Sequence, residues 1–309
     1  MSRLRGARLD RHRGAIRRAA AKLARLPGVS HVTLGEKIVN GSGNGAKALK
    51  VYVFAKHAVA GAQAIPRSVR LRGTGDLGDV VLATDVIEVA GQARHYSLRG
   101  GNLVKARDNE QGIATIGLRK GARGYCLTNA HVAIDFLAAH QTPGLSYLEP
   151  ADGSWRDIGP VILTSDIPPG RIIREDWAVV EAASPAAMTH FGLFTNPTVA
   201  ATRTDILRQG LGEHWFIVNG VIHRCDGLEP LQTPANVEVE GEMFAYLGVW
   251  QANMTQGQSH PGMSGALLCR TTPSGIVACG QVFGGIEDAL VWAFPFGEMF
   301  KRVWAQLPD

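Results

Sequence analysis

The 309-residue chain is short of the features on which several protein classes depend. It has four cysteines, Cys126, Cys225, Cys269 and Cys279, with no CxxC pair and no His/Cys spacing of a zinc site. That excludes a zinc ribbon and a dense disulfide scaffold. Apolar neighbours make reduced core thiols the expectation, although Cys269 and Cys279 flank a turn from Thr271 to Gly275 and would face each other across a hairpin in an exported protein. Nowhere does the chain approach the roughly 18 consecutive apolar residues of a membrane-spanning helix, and its first residues are too charged for a secretory signal. A cytoplasmic location is therefore expected. Charged residues are only 19% of the chain and hydrophobic ones 45%, as in an ordinary globular protein large enough for one or two domains.

What charge there is sits unevenly. The net charge is +5, yet residues 1 to 26 hold nine Lys or Arg against the single acid Asp10, leaving about −3 on the remainder. From Asp10 to Leu26 the apolar residues Ile16, Ala19, Ala20, Leu23 and Leu26 recur at helical spacing, and Pro27-Gly28 ends the pattern. The arginines lie mostly on the other side, which suits a solvated face on a helix packed against its own domain. No nucleic-acid motif accompanies them, so nucleic acid is not an expected partner.

Residues Val29 to Val39 and Leu49 to Ala55 read as a β-hairpin whose turn is the Gly-rich stretch from Gly41 to Gly45. That stretch is no phosphate loop: Ala46 stands where a second glycine belongs, and a strand follows instead of a helix. Another strand is expected within residues 79 to 90, and then Gly91 to Asn109 turns polar and rich in Gly, Arg and Asn. A domain boundary is placed there, giving an N-terminal α/β region of residues 1–96 and a second domain of residues 97–309. Beyond it come many short β-branched or aromatic runs without intervening helices, the texture of a sandwich or barrel. A final helix is expected from Phe296 to Leu307, with Met299, Phe300, Val303, Trp304 and Leu307 on its packed side.

Three segments carry groups suited to acyl transfer, which needs a nucleophile, a base, a group to orient the base and donors for an oxyanion. In Leu127 to Val132 an apolar strand ends in Thr128-Asn129-Ala130 and delivers His131, a natural general base near neutral pH. Asp176 begins the apolar run Trp177 to Val180 and is placed to fix the histidine tautomer. Ser264 lies between Gly262-Met263 and Gly265, and Gly262 lets the backbone aim its N–H groups at one point. Each segment alone is a weak signal. Together they follow the order His, Asp, Ser, 45 and then 88 residues apart on a β-rich chain, the order of the chymotrypsin template.

On these motifs, over roughly residues 110 to 300, the sequence resembles the trypsin-like serine peptidases of the chymotrypsin fold, in particular bacterial members without a secretion signal. The resemblance implies a mainly β protein of two packed antiparallel six-stranded barrels, here with a small N-terminal α/β domain and a C-terminal helix. It makes His131 the base and Asp176 its partner, both from the first barrel, and Ser264 from the second barrel the nucleophile. The N–H groups of Gly262 and Ser264 would form the oxyanion hole, and Gln258, Gly284 and Gly285 would line the substrate pocket. A neutral Gln258 argues against strict Arg or Lys preference. Met263 stands where the family has an acid that receives a newly cut N-terminus, so that route of activation is not expected.

Rivals for these roles are weaker. Asp166 sits in a Pro-rich, loop-like stretch, Asp135 is too close along the chain to His131, and His260 has no strand behind it. No cofactor or metal is expected, the remaining histidines having no ligand spacing. The sequence thus reads as a serine endopeptidase acting on a protein or peptide substrate, with residues 1–96 restraining it or docking a particular partner. The alternative from another class is a catalytically silent protease-fold scaffold.

Overall fold

Helix α1 (Arg13–Ala24) forms where apolar side chains recur on one side: Ile16, Ala20 and Leu23 are buried while Arg13, Arg17, Arg18 and Lys22 are exposed. The Nε2 of His12, just before the helix, donates to the Gly78 carbonyl at 3.1 Å, and Gly28 turns the chain away at a φ of 76°. The computed structural model describes residues 11–39, 42–53, 65–73, 78–88, 94–95, 103–106, 111–134, 144–148, 153–166, 171–183, 193–194, 213–218, 221–239, 242–257, 262–272, 275–286 and 289–309. The chain divides into two units, Met1–Gly91 with Glu229–Ala235, and Gln92–Leu228 with Asn236–Asp309.

In the first unit α1 covers one face of a four-stranded sheet ordered β1-β2-β4-β3, made of β1 (Val29–Val39), β2 (Ser42–Val53), β3 (Ser68–Leu71) and β4 (Val80–Glu88). The pair β2–β4 is parallel and the others antiparallel. The Gly-rich stretch read as a turn is for the most part strand: Ser42 pairs with Val39 and Gly43 with Ile38, beyond a register shift. An irregular ladder tolerates glycine, and propensity alone could not reveal the pairing.

Alternation assigns the two faces of this sheet. Val32, Leu49, Val51 and Val53 join the core under α1. Thr33, Gly35 and Lys50 carry the opposite parity and cradle one carboxylate, that of Glu229. Lys50 Nζ donates to it at 2.8 Å and Thr33 Oγ1 at 3.1 Å. A Cβ on Gly35 would lie 1.9 Å from Glu229 Oε1, so glycine is required there by space alone. The segment bearing Glu229 also joins β1 by its backbone: Gln232 N–H donates to the Val32 carbonyl at 3.0 Å, and Thr33 bridges to Leu231.

The second unit contains β5 (Arg94–His95), β6 (Leu103–Ala106), β7 (Gln111–Ile113), β8 (Ile116–Lys120), β9 (Arg123–Thr128), a one-turn helix α2 (Ala130–Ala133), β10 (Gly144–Leu148), β11 (Trp155–Thr164), β12 (Ile172–Ile173), β13 (Ala178–Glu181) and β14 (Leu193–Phe194). After these come β15 (His214–Val218), β16 (Val221–Pro230), β17 (Ala235–Val239), β18 (Glu242–Tyr246), β19 (Trp250–Gln256), β20 (Leu267–Thr272), β21 (Gly275–Ile286), β22 (Leu290–Pro295) and helix α3 (Phe296–Gln306). One sheet, ordered β14-β8-β9-β13-β11-β10-β6-β7, curls into a half-barrel. A second runs β20-β15-β16-β19-β22-β21 and closes on itself through β20–β21. The mainly β architecture of two curled sheets is the one expected, with the first of them open instead of closed.

Strand β9 is buried on both sides, and that explains its unbroken apolar run. Cys126 faces the interior of the half-barrel with Val104, Leu145, Ile158 and Val180. Tyr125 and Leu127 point outward, where Phe296, Met299, Phe300, Val303 and Leu307 of α3 cover them. The final helix therefore packs as its spacing predicted. Among the described residues no helix is long and apolar enough to cross a membrane.

All four cysteines are buried free thiols. A bulge sets Cys269 opposite Ala278, with the register shifting between Leu268 and Cys269. Burial pushes the thiols of Cys126 and Cys269 up to about 12 and that of Cys279 up to about 11, and raises Cys225 as well. Ellman's reagent at pH 8 is therefore expected to find no fast-reacting thiol in the native protein and all four after unfolding.

Replacing Lys50 by Met strands the Glu229 carboxylate in the interior and is expected to cost about 3–5 kcal/mol in urea unfolding. The double variant Lys50→Met/Glu229→Leu removes both charges and is expected to recover most of that loss.

Candidate active site

Strand β9 ends at Thr128, whose hydroxyl donates to the Ile113 carbonyl at 2.9 Å. Asn129 then takes an extended conformation (φ −72°, ψ 151°) and α2 begins, so that a single turn of helix carries His131. The Asn129 side-chain amide reaches across and donates to the Asp176 carbonyl at 2.8 Å. Thr128 and Ala178 are paired across β9 and β13, and this register brings residues far apart in sequence to one strand end.

Asp176 is almost wholly buried, at 1% exposure. A buried carboxylate needs donors, and both its oxygens have them: Oδ1 accepts the backbone N–H of His131 at 3.1 Å, and Oδ2 accepts the imidazole Nδ1–H at 2.5 Å. Because an ionised carboxylate only accepts, the neutral imidazole holds its proton on Nδ1 and presents Nε2 as the basic nitrogen. The neighbours of Asp176 are fixed too. Trp177 N–H donates to Ser165 Oγ at 3.2 Å, the Trp177 indole donates to Glu175 at 3.0 Å, and Glu175 pairs with Arg302 of α3. Asp166, the rival carboxylate, is exposed.

Ser264 comes from the turn before β20. Gly262 and Gly265 have φ of 105° and 99°, values that L side chains rarely adopt. Met263 between them is fully buried in the apolar core with Phe216, Val218 and Trp250. The thioether at this position serves packing. Among the described residues, the N–H groups of Gly262 and Ser264 donate to no backbone carbonyl, whereas that of Gly265 bonds Val282 at 2.8 Å. Backbone N–H groups so placed beside a serine are the raw material of an oxyanion hole.

Two glycines, Gly112 and the Gly265 of the serine motif, bring this turn against β7 and α2. A Cβ on Gly112 would lie 2.5 Å from Val132 Cγ2 and 2.8 Å from the Ser264 carbonyl oxygen, so the chain at Gly112 touches α2 and the serine turn at once. A Cβ on Gly265 would lie 1.9 Å from the Ile113 carbonyl oxygen and 3.2 Å from Thr128 Oγ1. The Ile113 N–H also donates to the Ser264 carbonyl at 2.7 Å. For Gly112 the only sequence signal was glycine itself, and 37 glycines are too many to choose among.

The serine hydroxyl is fully buried and donates to the Phe283 carbonyl at 2.9 Å. Phe283 is the extra residue of a bulge in β21, where the pairing with β22 jumps between Val282 and Gly284. The bulge takes its carbonyl out of the regular ladder. Since a hydroxyl has one proton, the Ser264 side chain in this conformation addresses Phe283. Gly284 and Gly285 follow in β21 and are buried. Gln258, His260 and Asp135 lie outside the described residues. No group of three or more His, Cys, Asp or Glu side chains converges among the described residues.

No family model and no curated protein matches the chain. Among solved structures it is similar to an alpha-lytic protease homologue at 12% identity, with 67% of this chain and 97% of that one covered and a TM-score of 0.38. It is similar to a glutamic acid-specific serine protease described as using a histidine triad in substrate binding, at 14% identity, 66% and 97% coverage and a TM-score of 0.42. Thermobifida fusca protease A is matched at 14% identity, 67% and 96% coverage and a TM-score of 0.40. At identities this low its chemistry is read from its own side chains.

Gly265→Ala places a Cβ against the Ile113 carbonyl in a left-handed backbone and is expected to lower stability by more than about 2 kcal/mol. Gly153→Ala, with φ 69° and nothing within 4 Å of the added carbon, is the control and bears only the backbone strain. Thermal unfolding of the pair separates the contact from the strain.

Proposed function

We propose that the protein is a serine endopeptidase in which His131, Asp176 and Ser264 hydrolyse peptide bonds through an acyl-enzyme. The observation that carries this reading is the buried Asp176 carboxylate, held on both the backbone and the ring of His131. That arrangement fixes one tautomer and stabilises the imidazolium that forms when the base takes a proton. In the reaction, the Ser264 hydroxyl leaves Phe283 and gives its proton to Nε2 as Oγ attacks the substrate carbonyl. The N–H groups of Gly262 and Ser264 receive the developing oxyanion. His131 then protonates the leaving amine and activates water to release the acyl group.

The substrate on this reading is a protein or peptide, its extended backbone lying at Gly284 and Gly285 with Gln258 in the pocket. Four buried free thiols fit a reducing compartment such as the cytoplasm. In such a compartment a general protease is harmful, and residues 1–96 would supply the restraint or dock a chosen target.

A fluorophosphonate probe tests the assignment. Labelling is expected in the native chain and lost in Ser264→Ala and His131→Ala, while Asp176→Asn lowers the rate of peptide hydrolysis about ten-thousandfold. Labelling that persists in Ser264→Ala removes that residue as the nucleophile. A folded native chain that neither labels nor cuts peptides leaves the silent-scaffold alternative.

A further inference from the structure

In the first unit, α1 and the edge strand β3 border a groove of about 660 Å³. Its floor is apolar, with Ala15, Ala19, Leu23 and Leu26 on the helix side and Val69 and Leu71 on the strand side. Arg18, Lys22, Arg70 and Arg72 line it too, and among the described residues no acid does. Arg70 Nε pairs with Asp79 at 2.9 Å. Among the described residues no carboxylate meets Arg18, Lys22 or Arg72. Residues 11–28 and 65–73 hold nine Lys or Arg and no Asp or Glu. The remaining segments of the first unit do not supply the missing charge. Residues 1–10, 40–41, 54–64, 74–77 and 89–91 contain two acids, Asp10 and Asp76, and Asp10 shares its segment with Arg3, Arg5 and Arg8.

The strand side of the groove offers backbone as well as side chains. In the order β1-β2-β4-β3, β3 comes last and pairs with β4 alone. The Thr84 N–H donates to the Arg67 carbonyl at 3.0 Å, which makes these two residues a hydrogen-bonded pair. Alternation along an antiparallel ladder then points the N–H and C=O of Val69 and Leu71 at β4, and those of Ser68 and Arg70 at the open edge. Side chains alternate with the same period: Val69 and Leu71 join the core under α1, and Arg70 is exposed on the other face.

We infer that this groove docks an extended acidic segment of a partner protein, which pairs by its backbone with the open edge of β3; this rests on the docking role given to residues 1–96 above and names its site and chemistry. Strand addition lays every second side chain of the segment on the floor beneath α1 and the others on the face of Arg70 and Arg72. A segment alternating apolar and acidic residues satisfies both. Arg18 and Lys22, exposed at the rim, add a positive field that favours acidic strands over basic ones. Two other anionic partners fit the groove less well. Among the described residues no aromatic side chain lines it for a nucleic acid base to stack on. A helix lying on a membrane turns its apolar side outward, whereas α1 buries Ile16, Ala20 and Leu23 in the core of its own unit.

The probe is a fluorescein-labelled synthetic peptide alternating Val and Glu, titrated by anisotropy into the full-length Ser264→Ala chain so that it is not cut. Binding is expected to weaken as salt rises and to fall about tenfold or more in Ser264→Ala/Arg18→Ala/Lys22→Ala. A peptide with its Val and Glu in separate blocks, and one alternating Val and Lys, are expected not to bind. Adding Ser68→Pro removes one outward N–H and no bond to β4, and is expected to weaken binding about tenfold as well. Hydrogen exchange with β3 unaltered covers the case in which Ser68→Pro does not fold. The Ser68 and Arg70 amides are expected to gain protection when the peptide is present, and those of Val69 and Leu71 to stay as they are. Failure of the alternating acidic peptide to bind overturns the inference, above all where phosphatidylserine vesicles or a thymidine oligonucleotide bind in its place. Equal binding of the block or basic peptide, binding that survives either set of substitutions in a folded chain, or no gain of protection at Ser68 and Arg70 also overturns it. Fluorophosphonate labelling of the native chain without peptide binding spares the endopeptidase reading; peptide binding without labelling sinks that reading and leaves the docking site standing.

Discussion

The site depends on a carboxylate that has been taken out of water. Asp176 at 1% exposure is tolerable only because its oxygens receive the backbone N–H and the ring N–H of a single residue, His131. One consequence is chemical, since the same two bonds that satisfy the charge choose the imidazole tautomer. Another is architectural: the Asn129 amide on the Asp176 carbonyl and the β9–β13 register must hold for those bonds to form. The apolar strands on either side are therefore part of the machinery, as is α3, whose Arg302 grips Glu175 next to the carboxylate.

The serine is held by a different device, close backbone contact at positions without side chains. Gly112 and Gly265 let the Ser264 turn lie against Ile113 and Val132, and Met263 anchors it in the core. Packing and hydrogen bonding agree about where the turn sits. The bulge at Phe283 then offers the hydroxyl an acceptor. Ser264 is thus stored in a satisfied state, at the place where β21 also receives β5.

In the first unit the same rule about buried charge operates without chemistry. Thr33, Gly35 and Lys50 alternate onto one face of a sheet whose other face is apolar, and a carboxylate from residue 229 completes them. A polar cradle in a sheet face specifies its occupant more narrowly than an apolar one would. It makes Glu229–Ala235 a member of the first unit although the residues before and after it belong to the second.

Much of this was written locally in the sequence. The 3.6-residue spacing of Ile16, Ala20 and Leu23, and of Met299, Phe300, Val303 and Leu307, determined both long helices and their buried sides. Short β-branched runs determined a mainly β second unit, and the strand ends carrying His131 and Asp176 were visible as apolar runs meeting a polar residue. Other features had no local signature. Pairing across 45 residues between Asp176 and His131, the entry of Glu229 into a distant sheet, the two glycines that touch the serine turn and the antiparallel seat of β5 on β21 all depend on which segments become neighbours. Hydrophobic period records which side of an element is buried; only the folded chain decides what lies against it.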